Sequence, residues 1–168
     1  VTVAPVVQKS VPIEFRAIGY VEAYSTVSIK AQIAGTIEQV YFREGQDVRK
    51  DDLLYTLDSR PYQAAVHQLE ANLARDQAQL ENANAQADRY SKLFEAGIVS
   101  KEQHDTFRTN SDALAAAVRA DKAAIERARI DLDYCTIRSP IEGRTGSLLV
   151  HTGNIVKSNE TVLVVINQ

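Results

Sequence analysis

The sequence predicts an α+β fold in which a long antiparallel helical hairpin interrupts a small β-sandwich. Residues 59–134 carry a helical repeat of apolar side chains with a single turn in the middle. Related patterns of alternating apolar and polar residues stand on either side, in residues 23–58 and 135–168. Because each β-pattern is too short to bury a core alone, the two halves are expected to pair with each other.

The first part of the chain, residues 1–22, contains short runs of β-branched residues. Pro5, Pro12 and Gly19 separate these runs, and proline confines a strand to the edge of a sheet. We therefore predict short edge strands in Val1 to Val21, which do not complete a domain by themselves.

The β-pattern before the hairpin is repeated after it at a constant offset of 108 positions. Gly35 and Gly45 recur as Gly143 and Gly153, and apolar positions recur with them. The matched apolar positions are Ile33 with Ile141, Val40 with Leu148, Val48 with Val156, and Leu54 to Leu57 with Val162 to Val165. This internal repeat predicts one pseudo-symmetric β-domain, with structural turns at the four glycines.

The first helix is predicted to begin at Asp58 or Ser59, which can accept hydrogen bonds from the free amides of its first turn. Pro61 fits the first turn of a helix and no later position. Apolar and small residues then recur in alternating steps of three and four, with one break at Asp76. They are Tyr62, Val66, Leu69, Leu73, Leu80, Ala83, Ala87, Tyr90 and Phe94.

A tight turn separates the two helices. Gly97 is predicted to form a structural turn as the left-handed cap of the first helix, and Ser100 with Gln103 forms a capping box for the second. The second seam, broken at Asp121, consists of Phe107, Leu114, Val118, Ile125, Ala128 and Leu132. Because only about four residues join the helices, they must run antiparallel, and the hairpin should extend roughly 50 Å.

Asp76 and Asp121 each interrupt a seam, and folding the hairpin at its turn brings them to nearly the same level. Facing carboxylates can hold a metal ion or share a proton. Arg75 and Lys122 are their neighbours in the sequence and can offset their charge. We favour the interpretation that the pair is a structural device that fixes the register of the two helices.

The composition excludes several classes of function. The net charge of −3 has both signs mixed along the chain, so nucleic acid is not an expected partner. Cys135 is the single cysteine, which rules out an internal disulfide and a cysteine-based zinc site, and it is expected to be half-buried and inert. No apolar run reaches the ~18 residues of a membrane span and no signal peptide precedes Val1, so any anchor or export signal is expected outside this chain.

Three motifs resemble those of the periplasmic adaptor, or membrane fusion protein, family. They are Ile33-Ala34-Gly35-Thr36-Ile37, Glu44-Gly45-Gln46-Asp47-Val48 and Ile137-Arg138-Ser139-Pro140-Ile141-Glu142-Gly143-Arg144. In that family a split lipoyl-like or biotinyl-like β-domain carries an inserted helical hairpin, and the resemblance covers nearly the whole chain. It implies that residues 23–58 and 135–168 form the lipoyl-like β-domain and that residues 59–134 form the hairpin.

The hairpin tip is similar to that of adaptors of resistance-nodulation-division (RND) multidrug pumps. Those adaptors carry an arginine, then a leucine after three intervening residues, then a serine after six more. Arg89, Leu93 and Ser100 match this spacing, which implies that they dock onto an outer-membrane channel. The residues alone indicate that Ser100 is a helix N-cap and that Leu93 is exposed at the tip beside Arg89.

The resemblance also implies a location and a set of partners. It implies a protein of the Gram-negative periplasm, anchored to the inner membrane and assembled into a homo-oligomeric ring, expected to be a hexamer. The ring would join a proton-driven inner-membrane efflux transporter to a TolC-type outer-membrane channel for multidrug export, with no bond made or broken. Family members also have a β-barrel and a membrane-proximal domain, and residues 1–22 are expected to supply only leading strands of that region.

A carrier domain for lipoate or biotin is an alternative from another class. Its chemistry needs an acylated lysine on a tight hairpin between the two halves, but here the helical arm occupies that junction. No lysine lies between Lys50 and Lys92, and Lys92 and Lys101 lie near the helical tip. No covalent lipoate or biotin, and no other cofactor, is therefore expected.

The remaining alternatives are an enzyme, an adaptor for metal export, an adaptor of another exporter and a plain spacer. His67, His104 and His151 lie in no nucleophile elbow, so no catalytic residues are expected. The chain has no methionine, which disfavours copper or silver export, and no metal site is expected. Adaptors of ATP-driven exporters and of secretion systems share the split β-domain and stay open as an alternative. A plain coiled-coil spacer would not need the β-repeat.

Overall fold

The computed structural model describes all 168 residues, which form eight strands and two long helices of an α+β protein. Four strands precede the helices: β1 Thr26–Lys30, β2 Gly35–Val40, β3 Asp47–Val48 and β4 Leu53–Leu57. The helices are α1 Arg60–Glu95 and α2 Lys101–Asp133. Four strands follow: β5 Thr136–Arg138, β6 Gly143–Thr145, β7 Ile155–Val156 and β8 Val162–Asn167. Neither helix combines the length and the apolar character that a membrane crossing requires.

The strands form two four-stranded antiparallel sheets, with the orders β1-β8-β6-β3 and β5-β4-β2-β7. Each sheet takes strands from both sides of the helices. Exchanging β1 to β4 with β5 to β8 turns one order into the other, which is the relation expected of two repeats about a twofold axis. The predicted pairing of the two halves is therefore present, and neither sheet is built from one half alone.

One apolar core takes residues from both sheets and from both halves of the chain. Its members are Ile29, Ala31, Ile33, Ile37, Phe42, Val48, Leu54, Tyr55, Leu57, Cys135, Ile137, Val150, Val156, Leu163, Val164 and Ile166. The fully buried Tyr55 donates its hydroxyl hydrogen bond to the backbone oxygen of Leu163 at 2.9 Å, across the repeat offset of 108. This bond satisfies the polar atom that the large side chain brings into the core.

The glycines of the repeat have two different roles. Gly45 and Gly153 have φ angles of 72° and 88° and lie in equivalent turns before β3 and β7. Gly35 and Gly143 instead begin strands β2 and β6, two residues after bends, so the turns expected at these two positions are not formed there. At Gly143 the reason for glycine is space, because a Cβ would lie 2.5 Å from the backbone oxygen of Asn167 on β8.

Of the two side chains predicted to cap α1, those of Asp58 and Ser59, only that of Asp58 accepts a backbone amide of the first turn. Ser59 occupies the N-cap position, but its side chain makes no capping hydrogen bond. Asp58 instead accepts from the backbone N–H of Arg60 at 3.1 Å, and the Arg60 guanidinium donates to the same carboxylate at 2.8 and 2.7 Å. These hydrogen bonds, the side-chain one first, lower the pKa of Asp58 to about 2.

The helices pack side by side and run antiparallel. Three side-chain pairs mark their register: the stacked rings of Tyr90 and Phe107 at 3.8 Å, the hydrogen bond from Ser111 to Asn84, and the ion pair of Arg129 with Glu70 at 2.7 Å. All residues of the two predicted seams are buried or half-buried except Phe94, which is 40% exposed. Only Val66 and Ala83 in α1, and Val118 and Ile125 in α2, are fully buried, so the seam is thin.

Residues 1–23 contain no strand, and all of them are exposed. The edge strands expected in Val1 to Val21 are therefore not formed in this structure. A strand needs a hydrogen-bonding neighbour, and pairing starts only at Tyr24, whose N–H donates to the backbone oxygen of Gln168 at 2.9 Å. The apolar side chains of this segment, such as Ile13 and Phe15, contribute nothing to the core.

Candidate functional site

The far end of the hairpin is closed by a regular helix cap. Ala96 is the C-cap of α1, and Gly97 follows it in the left-handed conformation with φ 71°. The N–H of Gly97 donates to the oxygen of Phe94, and the N–H of Ile98 donates to the oxygen of Leu93, both at 2.9 Å. This pair of bonds is the Schellman motif, which satisfies carbonyls that a helix end leaves free.

The second helix starts with the predicted capping box. Ser100 Oγ accepts from the backbone N–H of Gln103 at 3.2 Å, and the Gln103 side chain accepts from the backbone N–H of Ser100 at 3.3 Å. The two caps leave only Val99 between Ile98 and Ser100. The connection between the helices is therefore held by backbone hydrogen bonds on both sides rather than by a flexible loop.

Two ring stacks join the helices just below the turn. Tyr90 stacks on Phe107 with ring centroids 3.8 Å apart, and Phe94 stacks on His104 at 5.1 Å. His104 also contacts the neighbouring Asp105, with Nδ1 to Oδ1 at 3.1 Å. Stacked rings fix the relative rotation of the helices close to the tip, because each ring has few rotatable bonds.

The three predicted tip residues lie in different environments. Arg89 is exposed on α1 one turn before Leu93, and Ser100 is exposed while its hydroxyl serves the capping box. Leu93 was expected to be exposed, but the structure shows it half-buried. Leu93 lies at the helix end, where its carbonyl accepts the amide of Ile98 in the cap.

The largest exposed apolar surface at the tip comes from residues that the motif does not include. Ile98 is 69% exposed and Phe94 is 40% exposed. Sequence reasoning missed Ile98 because it follows the seam pattern of neither helix. The signal that could have found it is its place immediately after the capping Gly97, where an apolar residue is common.

Charges of both signs surround these apolar residues. Arg89, Lys92 and Glu95 are exposed on the last turns of α1, and Lys101 and Glu102 are exposed on the first turn of α2. Because charges of opposite sign lie close together along the chain, the tip has no strongly charged patch. The tip is therefore an apolar point with a mixed polar rim, which is the composition of many protein contact sites.

The Asp76 and Asp121 pair is the second candidate. Arg75 donates to Asp76 at 2.6 Å, and this hydrogen bond is the main cause that lowers the pKa of the Asp76 carboxyl; hydrogen bonding with Asp121 contributes less. Asp121 Oδ2 is buried and has no hydrogen-bond partner. No cluster of three or more His, Cys, Asp or Glu side chains in the chain could hold a metal ion. The structure thus brings the two carboxylates together but supplies no further ligands.

The residues considered for catalysis or carrier chemistry are dispersed. His67 lies in α1, His104 in α2 and His151 in the connection between β6 and β7. Cys135 is 2% exposed, more deeply buried than expected, and burial raises the pKa of its thiol to about 11. A thiol with this pKa is protonated at neutral pH and is a poor nucleophile. Lys92 and Lys101 lie on helices rather than on a β-turn.

Residues 25–168 match the model of a protein family described as "RND MFP, barrel-sandwich hybrid domain". Over 169 residues the chain is 38% identical to "Multidrug resistance protein MdtA" of Pantoea ananatis, and the match covers 100% of this chain and 41% of that protein. It is 36% identical over 166 residues to the protein of the same name from Yersinia enterocolitica, covering 99% of this chain and 38% of that protein. The chain thus spans about two-fifths of the length of these relatives.

A solved structure with the same fold is that of a MacA-MexA chimeric protein containing the α-hairpin domain of Pseudomonas aeruginosa MexA. The TM-score is 0.62 with 36% sequence identity, over 88% of this chain and 49% of the chimera. The α-hairpin domain named for the chimera is the same kind of element that carries the tip in this chain.

Proposed function

Because the chain belongs to the RND membrane fusion protein family, we propose that it is the central part of a periplasmic adaptor for multidrug efflux. In this role it joins a proton-driven inner-membrane transporter to a TolC-type outer-membrane channel. The family match and the name of its relatives support the class of transport system. The adaptor makes and breaks no bond, and it acts by bridging and sealing.

The observation that carries this proposal is the shape and chemistry of the hairpin. Helices of 36 and 33 residues reach roughly 50 Å at 1.5 Å per residue, and their far end is capped rigidly and carries exposed apolar side chains. Apolar residues held at the end of a long arm suit a contact at a distance from the β-domain.

The remaining parts of the chain take their roles from this arrangement. Residues 23–58 and 135–168 are the two halves of a lipoyl-like β-domain that carries no lipoate or biotin, and residues 59–134 are the inserted hairpin. The β-domains of several copies, a hexamer in our proposal, form a ring around a conduit. Residues 1–22, which form no strand here, belong to an adjoining barrel or membrane-proximal region, which is consistent with their exposed apolar side chains. An inner-membrane anchor keeps the adaptor in the periplasm.

At the tip, Arg89, Leu93 and Ser100 form the docking region for the channel. Ser100 acts mainly through its capping box, which sets the direction in which α2 leaves the turn. Arg89 supplies an exposed cation one turn below the apex. Leu93 contributes the part of its side chain that the turn leaves uncovered.

Site-specific photo-crosslinking in the native envelope tests this function. A photoreactive residue at Leu93 is expected to form an adduct with an outer-membrane channel, identified by mass spectrometry. The same residue at Ala116, exposed in the middle of α2, serves as the control and is expected to form no channel adduct. Adducts with neighbouring copies alone would contradict the bridging role and favour a secretion-type adaptor or a spacer.

A further inference from the structure

We propose that Ile98, with the exposed edge of Phe94, is the apolar anchor that inserts into the outer-membrane channel, and that Leu93 positions this anchor from below. This inference rests on the proposed function and changes the residues that carry the contact. It makes Ile98, which lies outside the arginine, leucine and serine pattern, a contact residue of the tip.

The first observation is the distribution of exposed apolar surface. Ile98 is 69% exposed, whereas Leu93 is half-buried. In a Schellman cap the residue in the position of Ile98 commonly packs against the residue in the position of Leu93. Here more than two-thirds of Ile98 is in solvent, so its side chain is available to a partner.

The second observation is that Ile98 is held in a fixed place. Its N–H is bonded to the oxygen of Leu93, and the capping box of Ser100 begins two residues later. A contact side chain on a preorganised backbone loses little conformational entropy when it binds. A long flexible loop at the same place would lose more.

The third observation is the support beneath the anchor. Phe94 stacks on His104 with nearly parallel rings, at an interplanar angle of 22°, and still keeps 40% of its surface exposed. One part of the Phe94 side chain therefore fastens α1 to α2 while another part faces outward. This arrangement joins the exposed surface of Phe94 to a fixed element rather than to a mobile side chain.

The charged residues around the anchor indicate which kind of partner surface would fit it. An apolar anchor with Arg89, Lys92, Glu95 and Lys101 around it matches a small apolar depression whose rim carries both charges. A groove between two helices of a partner offers such a depression. Contact between the tips of neighbouring copies is the alternative, and crosslinks from position 98 to another copy with none to the channel would show it.

The test compares photoreactive residues at positions 98, 93 and 116 of the adaptor in its native envelope. We expect the channel adduct to form most strongly from position 98, more weakly from position 93, and not from position 116. A channel adduct from position 93 with none from position 98 would overturn this inference and leave the proposed function standing. Absence of any channel adduct from both tip positions would overturn both.

A matched pair of variants provides the quantitative test. Ile98→Ser removes the proposed anchor, and Ile130→Ser makes the same change at an exposed isoleucine, 47% accessible, near the base of α2. We expect Ile98→Ser to weaken binding of the adaptor to the purified channel by about tenfold for each engaged hairpin, equivalent to ~1.4 kcal/mol. Ile130→Ser should leave channel binding unchanged. Equal binding by the two variants, with helix content unchanged by circular dichroism, would refute the anchor.

Discussion

At the scale of single residues, Gly35 and Gly143 occupy equivalent positions of the β-repeat but have different surroundings. A Cβ on Gly143 would lie 2.5 Å from the backbone oxygen of Asn167 and 2.9 Å from Ile166 Cγ2. A Cβ on Gly35 would meet only the Leu57 side chain, at an ordinary 3.5 Å. At Gly143, strands β6 and β8 therefore leave no room for a side chain, whereas the equivalent strands β2 and β4 leave room at Gly35.

Gly143→Ala should destabilise the protein by about 2 kcal/mol, because backbone atoms of β8 must move to accept the methyl group. Gly35→Ala, the matched control, should change the unfolding free energy by less than about 1 kcal/mol. Chemical denaturation followed by circular dichroism measures both. Equal effects of the two substitutions would show that the contact at Gly143 relaxes without cost.

The residue scale is also where prediction from the sequence was least accurate. The spacing that identified Leu93 as a tip residue carries no information on how the chain turns above it. Exposure at a helix end depends on the backbone path after the cap, which bonds the Ile98 amide to Leu93 and leaves the Ile98 side chain exposed. Gly143 was predicted to form a turn but begins strand β6, and the reason for glycine there, the close approach of β8, is distant in the sequence.

At the scale of elements, the first turn of α1 depends on one charged pair. Arg60 and Asp58 form two side-chain hydrogen bonds, and the pKa of Asp58 falls to about 2. The unfolded chain has no such pair, so its Asp58 keeps a pKa near the ordinary 3.8. The folded state thus binds fewer protons than the unfolded state between these two values.

The contribution of this pair to stability is therefore fully present above about pH 4 and is lost as the pH falls towards 2. Arg60→Gln should raise the pKa of Asp58 towards its ordinary value and reduce the loss of stability over this range. The carboxyl carbon shift of Asp58 in an NMR titration reports the pKa directly. Since both side chains are at the surface, the effect on stability should be modest and should decrease with added salt. An unchanged Asp58 titration in the variant would contradict this assignment.

The packing between the two helices is weakened where Asp76 and Asp121 interrupt the apolar seam. Asp121 Oδ2 is buried without a partner, and Arg75 bonds to Asp76 alone. Replacing both aspartates by leucine should raise the thermal midpoint of the hairpin by roughly 3 °C, because apolar side chains then fill the seam. Calorimetry of the double variant measures the change.

The control for this substitution is Asp88→Leu with Asp112→Leu, which removes the same charges at exposed positions of the same helices. That pair should not raise the midpoint. If the aspartates fix the register rather than bind a proton or metal, efflux should persist in the seam variant. Loss of efflux with a properly folded hairpin would show that the carboxylates have a functional role.

The elements themselves were largely predictable from the sequence. Both seams, the capping box at Ser100 and the left-handed Gly97 depend on residues close together in the chain, and the structure contains each of them. The repeat offset predicted which strands are equivalent, and the two sheet orders follow from it. The strands expected in residues 1–22 did not form, because a strand depends on a partner that local spacing does not reveal.

At the scale of the whole molecule, the hairpin and the β-domain are joined through a small contact area at the base. Tyr62 and Leu132 pack against the core, and the Tyr62 hydroxyl donates to the backbone oxygen of Ala34 at 2.6 Å. The core of the β-domain has sixteen buried residues, whereas each helix buries only two. The two parts should therefore differ in local stability.

Hydrogen exchange should show this difference, with amides of α1 and α2 exchanging sooner than amides of β4 and β8. Tyr62→Phe removes the hydrogen bond to Ala34 and should cost about 1 kcal/mol, mainly as faster exchange in the first turns of α1. Tyr90→Phe makes the same change where the hydroxyl has no protein partner, and it should have little effect. If the arm bridges to a channel as proposed, it must be fixed at its base, and Tyr62→Phe should then also lower efflux while the tip still crosslinks to the channel. A uniform rise in exchange over the whole chain would show instead that the hairpin and the β-domain unfold as one unit.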